Sequence, residues 1–244
     1  MKRVLLIILF LFVFCGPTVY AQLQPTAKVD NNAGNRALPP YSGPKARIAV
    51  ADFEVKAAKA TGEIGTGLKE MLVTALINSS RFRVLERQVL NAVMKEQELA
   101  ASGASQQGSG PQRGQLKTAD LVITAAVTEF EPKASGGSAV LGGGAGIGKG
   151  LIGLGLGGST NKAHMALDIR IVDTSTSEVL AATRVQGSAS DISGGLMAGF
   201  MGSWGLGVGL AGYANTPMEK AIRVCIIEAV NYIAQSVPAD YFKY

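Results

Sequence analysis

The order of apolar and polar positions divides the chain into segments with a helical period, segments with a strand period, and two apolar stretches with almost no charge. Arg47–Phe53 (RIAVADF) is a short β-rich apolar run, which predicts a buried strand. Thr66–Asn78 sets Leu68, Met71, Leu72, Ala75 and Leu76 on one helical face. Arg81–Leu85 alternates and predicts a second strand, and Glu86–Leu99 predicts a second amphipathic helix built on Val89, Leu90, Val93 and Met94. Ser102–Gly114 is polar and rich in Gly and Gln, the composition of a surface loop. Asp120–Glu131 and His164–Asp173 then alternate over their later halves, Thr174–Ser177 supplies a turn, and Glu178–Gln186 reads as another strand. Thr216, Pro217 and Glu219 form a T-x-x-E capping box with proline at the first helical position. The helix they open buries Ile222, Cys225, Ile226, Ala229 and Ile233. The order β-α-β-α-β-β-β-α predicts an α/β sandwich with helices on one side of a mixed sheet.

Residues 1–21 read as an export signal. Lys2 and Arg3 precede eleven apolar residues, Val4–Phe14, and Pro17 precedes the small-x-small pattern Val19-Tyr20-Ala21. Eleven residues are too few to span a bilayer as a helix, which takes roughly 20. Cys15 offers a rival reading as an acylated N-terminus, but Phe14 stands where that processing wants a small residue, so cleavage after Ala21 is the preferred reading. Either route puts the mature chain outside the inner membrane. Residues 22–44, with Pro25, Pro39, Pro40 and Pro44, read as an extended arm. Residues 45–244 read as one domain carrying two insertions, 134–163 and 188–214. Cys225 is then the one cysteine left, too few for an intramolecular disulfide.

Composition sharpens the picture at the insertions. Of 31 glycines, 12 fall in Gly136–Gly158 and 8 in Gly194–Gly212. Apolar residues at 47% and charged residues at 17% exclude a disordered tail protein, and a formal charge of +5, or +3 without Lys2 and Arg3, gives no case for nucleic acid. Gly143-x-x-x-x-Gly148-Lys149 resembles a phosphate loop, but Gly150 replaces the Ser/Thr that would hold Mg²⁺. A glycine-zipper helix on Gly142, Gly146 and Gly150 is a second reading, at roughly 1 kcal/mol per interior glycine and about 3 kcal/mol for Lys149 at the bilayer centre. A transmembrane β-hairpin turning at Lys149-Gly150 accounts for more of the pattern. Ile147 then faces Ile152, Ala145 faces Leu154, Gly143 faces Leu156 and Leu141 faces Gly158, all on one side, while the other side is largely glycine. Ala139–Gly148 and Leu151–Thr160 supply ten residues each, against roughly 9–11 for a tilted spanning strand. Leu141, Ile147, Ile152, Leu154 and Leu156 are therefore the expected lipid-facing residues. In the second stretch a loop at Met201–Ser203 pairs Phe200 with Trp204, Ala198 with Leu206 and Leu196 with Val208, which adds Phe200, Trp204, Leu206 and Val208. Phe200, Trp204 and Tyr213 would serve as interfacial aromatics. The plain alternative for both stretches is a flexible glycine loop, although loops that long are normally polar.

Met71–Gln97 (MLVTALINSSRFRVLERQVLNAVMKEQ) resembles the matching stretch of the curli secretion channel family, CsgG/HfaB, in which Leu-Glu-Arg-Gln opens a helix after a strand. Ala119-Asp120-Leu121, Leu167–Val172, Asp173–Leu180 and the last helix follow in the family's order over roughly Lys45 to Val237. The resemblance implies a periplasmic α/β domain that assembles as a homo-oligomeric ring. Each subunit donates two β-hairpins to one outer-membrane barrel, at the two places where the glycine stretches lie. It also implies a conduit for unfolded polypeptide such as curli-like fibre subunits, worked with periplasmic or extracellular accessory proteins. Two departures stand out. Cys15 is a poor match to the family's lipid-anchoring cysteine. The loop after the first strand, which narrows the family's pore with aromatic and amide groups, here holds only Lys56, Lys59, Thr61 and Glu63 as polar residues. Lys56, Lys59 and Glu63 are thus the candidate pore-loop residues. The competing reading is a soluble periplasmic accessory protein for envelope assembly with the same domain. Catalysis is not expected, and neither is a cofactor or metal. His164 is the sole histidine, and Glu129 with Glu131, like Asp168 with Arg170, reads as a solvated strand face.

Overall fold

The computed structural model describes residues 27–28, 38–106, 108, 110–111, 113–135, 161–190, 205–207 and 209–244. Its strands are β1 (Ala27–Lys28), β2 (Ala46–Val50), β3 (Glu54–Val55), β4 (Phe82–Val84), β5 (Leu121–Ser135), β6 (Asn161–Asp173) and β7 (Val179–Ser190). Its α-helices are α1 (Gly62–Asn78), α2 (Leu90–Ala101) and α3 (Pro217–Ser236). Among the described residues the strands form one mixed sheet in the order β1-β7-β6-β5-β2-β4, with β3 also beside β5. β2 runs parallel to β4 and β5, whereas β5, β6 and β7 form an antiparallel meander. The expected export signal, most of the arm and the greater part of both glycine insertions lie outside the described residues.

Local chemistry explains the two core helices. Thr61 caps α1, its hydroxyl oxygen accepting from the Ile64 amide at 3.4 Å, and Glu63 puts negative charge in the first turn. The helix starts four residues before the expected Thr66. Its early glycines disfavour helix by propensity, but Gly65 lets α1 lie against Val55 and the Phe53 carbonyl, and that packing outweighs the propensity. Thr216 caps α3 as expected, accepting from the Glu219 amide at 3.4 Å. Glu219 in turn accepts from the Asn215 amide at 2.6 Å.

Leu68, Met71, Leu72, Ala75 and Leu76 of α1 meet Ile222, Cys225, Ile226, Ala229 and Ile233 of α3 in one core, over Ile123, Val127, Met165, Leu167, Ile169 and Val185 of the sheet. Gly187 on β7 lies directly under α3, where a side-chain carbon would overlap the Ala221 carbonyl oxygen and press on Cys225. The opposite face of β5–β7 carries Thr124, His164, Asp168, Arg170, Ala182 and Arg184, all partly or fully exposed.

α2 departs from expectation. It begins at Leu90 rather than Glu86, its cap residue Val89 makes no side-chain hydrogen bond, and it gives nothing to the hydrophobic core. Val89, Val93, Met94 and Leu99 are 53%, 39%, 45% and 47% exposed, and Gln97 is its one buried residue. Periodicity recorded an amphipathic helix but not what it would pack on.

The β6–β7 turn is organised by Asp173. Its carboxylate accepts from the Ser175 hydroxyl at 2.5 Å, the Ser175 amide at 2.6 Å and the Thr176 amide at 2.9 Å, and from the Tyr241 hydroxyl. Hydrogen bonds from Ser175, Tyr241 and Thr176 hold the Asp173 carboxyl well below the usual carboxylate range, and the same contact pushes the Tyr241 phenol up to about 12.

Two outcomes follow from this packing. Leu72→Ala should lower unfolding free energy by roughly 2–5 kcal/mol, whereas Val93→Ala on α2 should change it by no more than about 0.5 kcal/mol, both read from urea titrations. A carboxyl whose folded pKa lies below its unfolded value contributes stability that is fully present above about pH 4 and lost as pH falls through the folded value. The wild-type chain should therefore lose stability more steeply below about pH 4 than Asp173→Asn, as read from acid titrations of its circular dichroism.

Candidate functional site

The site is the end of the sheet where the meander runs out. Ser135 at the end of β5 pairs with Asn161 at the start of β6, and Lys162 pairs with Ser190 at the end of β7. Both glycine insertions therefore leave from one end of three adjacent strands. Leu141, Ile147, Ile152, Leu154, Leu156, Phe200, Trp204 and Val208 lie outside the described residues.

The second insertion returns along α1. Leu206, expected on a lipid face, is half-buried against the core. Gly207 lies so close to α1 that a side-chain carbon would stand 2.5 Å from the Gly67 carbonyl oxygen. Gly209 has φ +79° and abuts Glu63, and Leu210 is fully buried. Tyr213, expected at a membrane interface, packs edge-on against Phe130 with ring centres 5.4 Å apart. In this structure Leu206 and Tyr213 thus pack on the body, because an apolar side chain after a glycine run can be met by the protein's own core.

The loop between β2 and α1 runs toward the same end. The Lys56 and Ala57 amides both donate to the Val127 carbonyl, at 2.9 and 3.0 Å, which ties the loop to β5. Lys56 Nζ stands 3.1 Å from Glu54, Lys59 forms an ion pair with Glu131, and Glu63 is exposed in the first turn of α1. The loop thus runs beside β5 from Val127 toward Glu131, with Lys56 and Lys59 each facing a carboxylate and Glu63 against Gly209. Ion pairs this exposed are worth about 0–1 kcal/mol, so they orient the loop more than they stabilise it.

A second charged group crosses the open face just below. Glu129 stands 2.5 Å from His164 Nε2 and 3.4 Å from Arg184, whose Nε donates to Asp168 at 2.7 Å. That hydrogen bond and the Asp168 charge raise the Arg184 pKa further. Sequence grouped Asp168 with Arg170 as near neighbours on one strand and missed Arg184, its direct partner across the antiparallel pair. Counting outward from the turn at Thr174–Ser177 would set Asp168 opposite Thr183, and the register shift between Ile171 and Val172 moves it to Arg184. Lys69 was also missed: it is buried in α1 and donates to Asp52 at 2.7 Å, which holds the Asp52 carboxyl below its usual value. Cys225 is fully buried, and burial pushes its thiol up, which makes it a small core hydrophobe. A groove of about 550 Å³ between Leu38–Tyr41, the far end of α1 and α3 lies away from this site.

The family described as "Curli production assembly/transport component CsgG" matches residues 35–242. The chain belongs to the CsgG family. The match extends well beyond Met71–Gln97, the stretch that carried the resemblance, and takes in all three α-helices and the meander. "Putative lipoprotein NMB1126/NMB1164" of Neisseria meningitidis serogroup B is 31% identical over 204 residues, covering 81% of this chain and 78% of that protein. Among solved structures, the hypothetical protein CT253 of Chlamydia trachomatis is 16% identical with TM-score 0.45, covering 80% of this chain and 99% of that one. A PelC dodecamer of Paraburkholderia phytofirmans is 12% identical with TM-score 0.36, covering 81% and 96%. No described helix is long and apolar enough to cross a membrane.

The contact between Gly207 and α1 gives a direct test. Gly207→Ala should cost about 1–3 kcal/mol of packing there and expose residues 205–213 to limited proteolysis, with cleavage mapped by mass spectrometry. Gly212→Ala, whose added carbon meets nothing within 4 Å, should leave the cleavage pattern unchanged.

Proposed function

We propose that this CsgG-family chain is one subunit of an oligomeric outer-membrane channel that exports unfolded polypeptide, with its α/β body in the periplasm and no catalytic role. One observation carries the reading: both glycine insertions leave from one end of the β5–β6–β7 meander, toward which the loop after β3 runs along β5 as far as Glu131. A barrel wall and a constriction would have to share that end. Between Ser135 and Asn161 lie 25 residues, enough for two spanning strands of roughly 9–11 and a turn. Between Ser190 and Gly205 lie only 14, so the second hairpin spans the bilayer in full only after Gly205–Leu210 lets go of α1. A single subunit would leave open strand edges in lipid, each unpaired group costing several kcal/mol, and closed outer-membrane barrels start at roughly eight strands. The ring follows from that cost.

The meningococcal relative's name favours one addition, a lipid anchor on Cys15 in place of cleavage after Ala21. Radiolabelled palmitate incorporated by the wild type and lost in Cys15→Ser would establish it.

Mass measurement in mild detergent should give a closed oligomer, and planar-bilayer recording should give large, weakly selective currents. A monodisperse monomer without conductance would instead support the soluble accessory role. Lys56→Glu with Lys59→Glu should shift the reversal potential toward cation selectivity, modestly, since charges in a wide lumen are screened over about 8 Å at physiological salt. An unchanged reversal potential would remove those two lysines from the conduit.

A further inference from the structure

We propose that the free edge of β4 is a docking site for an extended acidic segment of a partner protein, which adds to the sheet as its next strand. The proposal does not depend on the channel reading.

Backbone direction supplies the first part of the case. β4 pairs in parallel with β2, in the register Ala46 with Phe82, Arg47 with Arg83 and Ile48 with Val84. The Ala46 amide donates to the Arg81 carbonyl at 3.1 Å, and the Leu85 amide donates to the Ile48 carbonyl at 2.8 Å. Residues 81, 83 and 85 therefore turn their backbone groups toward β2. Successive residues of a strand turn these groups to opposite edges, so the amides and carbonyls of Phe82 and Val84 point away from the sheet. Among the described residues β4 is the last strand on that side, and no backbone group bonds to those four. They are the row of donors and acceptors that a further strand pairs with. At the opposite edge of the sheet, β1 already lies on β7 at Gly187 and Ser188.

The helix layer supplies the second part. Beside this edge α1 leaves apolar surface uncovered. Val73, Thr74 and Ile77 border a cleft of about 220 Å³ with Val84 and Leu85, and Ile77 is 51% exposed. An added strand sets every second side chain on this side, where apolar groups would cover Val73, Ile77 and Val84. The charged residues that also line the cleft balance in sign, Lys69 and Arg87 against Glu70 and Glu86.

The other face of β4 decides the sign of the partner. Phe82 is buried in the core, so Arg81 and Arg83 lie on the opposite side. Arg81 sits over the Tyr41 ring and donates to the Pro39 carbonyl at 3.4 Å. Arg47, beside Arg83 in the register, is held by Asp120 at 3.1 Å. Arg83 is exposed and makes no ion pair or hydrogen bond with a described residue. Two guanidinium groups thus stand side by side with one carboxylate, and the residue set next to Arg83 by an added strand is favoured when acidic and repelled when basic. Short length and charge ordinarily guard a sheet edge; here they admit a strand of opposite sign.

Fluorescence anisotropy of labelled peptides on the full-length chain in mild detergent tests this, with an alternating Asp-Val peptide and its Lys-Val counterpart as probes. The Asp-Val peptide should bind the wild type about tenfold or more tightly than the Lys-Val peptide, and Arg83→Glu should invert that order. Val84→Pro removes an outward amide and no bond to β2, so it should weaken the Asp-Val peptide about tenfold with near-ultraviolet circular dichroism unchanged. If that variant fails to fold, residue-resolved hydrogen exchange on the wild type decides: the Phe82 and Val84 amides should slow when the peptide binds. Binding indifferent to peptide charge, or no slowing of those two amides, would overturn the proposal. So would loss of binding in Val93→Asp with Val84→Pro unaffected, which would put the peptide on the apolar stripe of α2. Absence of binding because a second copy covers β4 in the oligomer would overturn it as well.

Discussion

The seating of α3 on the β6–β7 pair is the contact on which the rest of the molecule depends. Gly187 has no side chain where one would overlap the Ala221 carbonyl, so the helix lies close enough for Cys225, Ile222 and Ile226 to be fully buried. That approach decides which face of the meander is covered and which stays open. It also holds β5, β6 and β7 in a shared register whose three loose ends emerge together. α1 packs on α3 as the second half of the same layer and carries the loop from β2 toward that end.

The open face is the complement of this arrangement. With no described helix over it, its residues pair across strands, Asp168 with Arg184 and Glu129 with both Arg184 and His164. Half-exposed charges of both signs contribute little stability, but they keep an uncovered sheet face soluble without an apolar patch. α2 differs, since its exposed Val89, Val93, Met94 and Leu99 are apolar and outside the core.

The parts that the proposed channel would need lie toward one end of the body. The insertions leave from that end and the lysine-bearing loop runs toward it, while Arg47, held by Asp120 and Tyr244, lies at the other. The return segment at Gly207 and Gly209 links the two roles. It stabilises the body by packing on α1 and occupies residues that a full-length second hairpin would require.

Local physics made much of this legible in the sequence. The buried faces of α1 and α3, the Thr216 cap with Pro217, the turn at Thr174–Ser177 and the succession of the main strands and helices along the chain follow from periodicity and from groups a few residues apart, and the Leu-Glu-Arg-Gln stretch pointed to the family. Tertiary structure decided what depends on residues distant along the chain. The early glycines of α1 are helical because Val55 and the return segment need the space, against their propensity. Asp168 meets Arg184 rather than Arg170 because register outranks proximity in sequence, and Lys59 finds Glu131, 72 residues away. Leu206 packs against the core, and the stripe on α2 stays exposed. Hydrophobic patterning tells a chain which side to bury but not against what, and only the packed molecule supplies that partner.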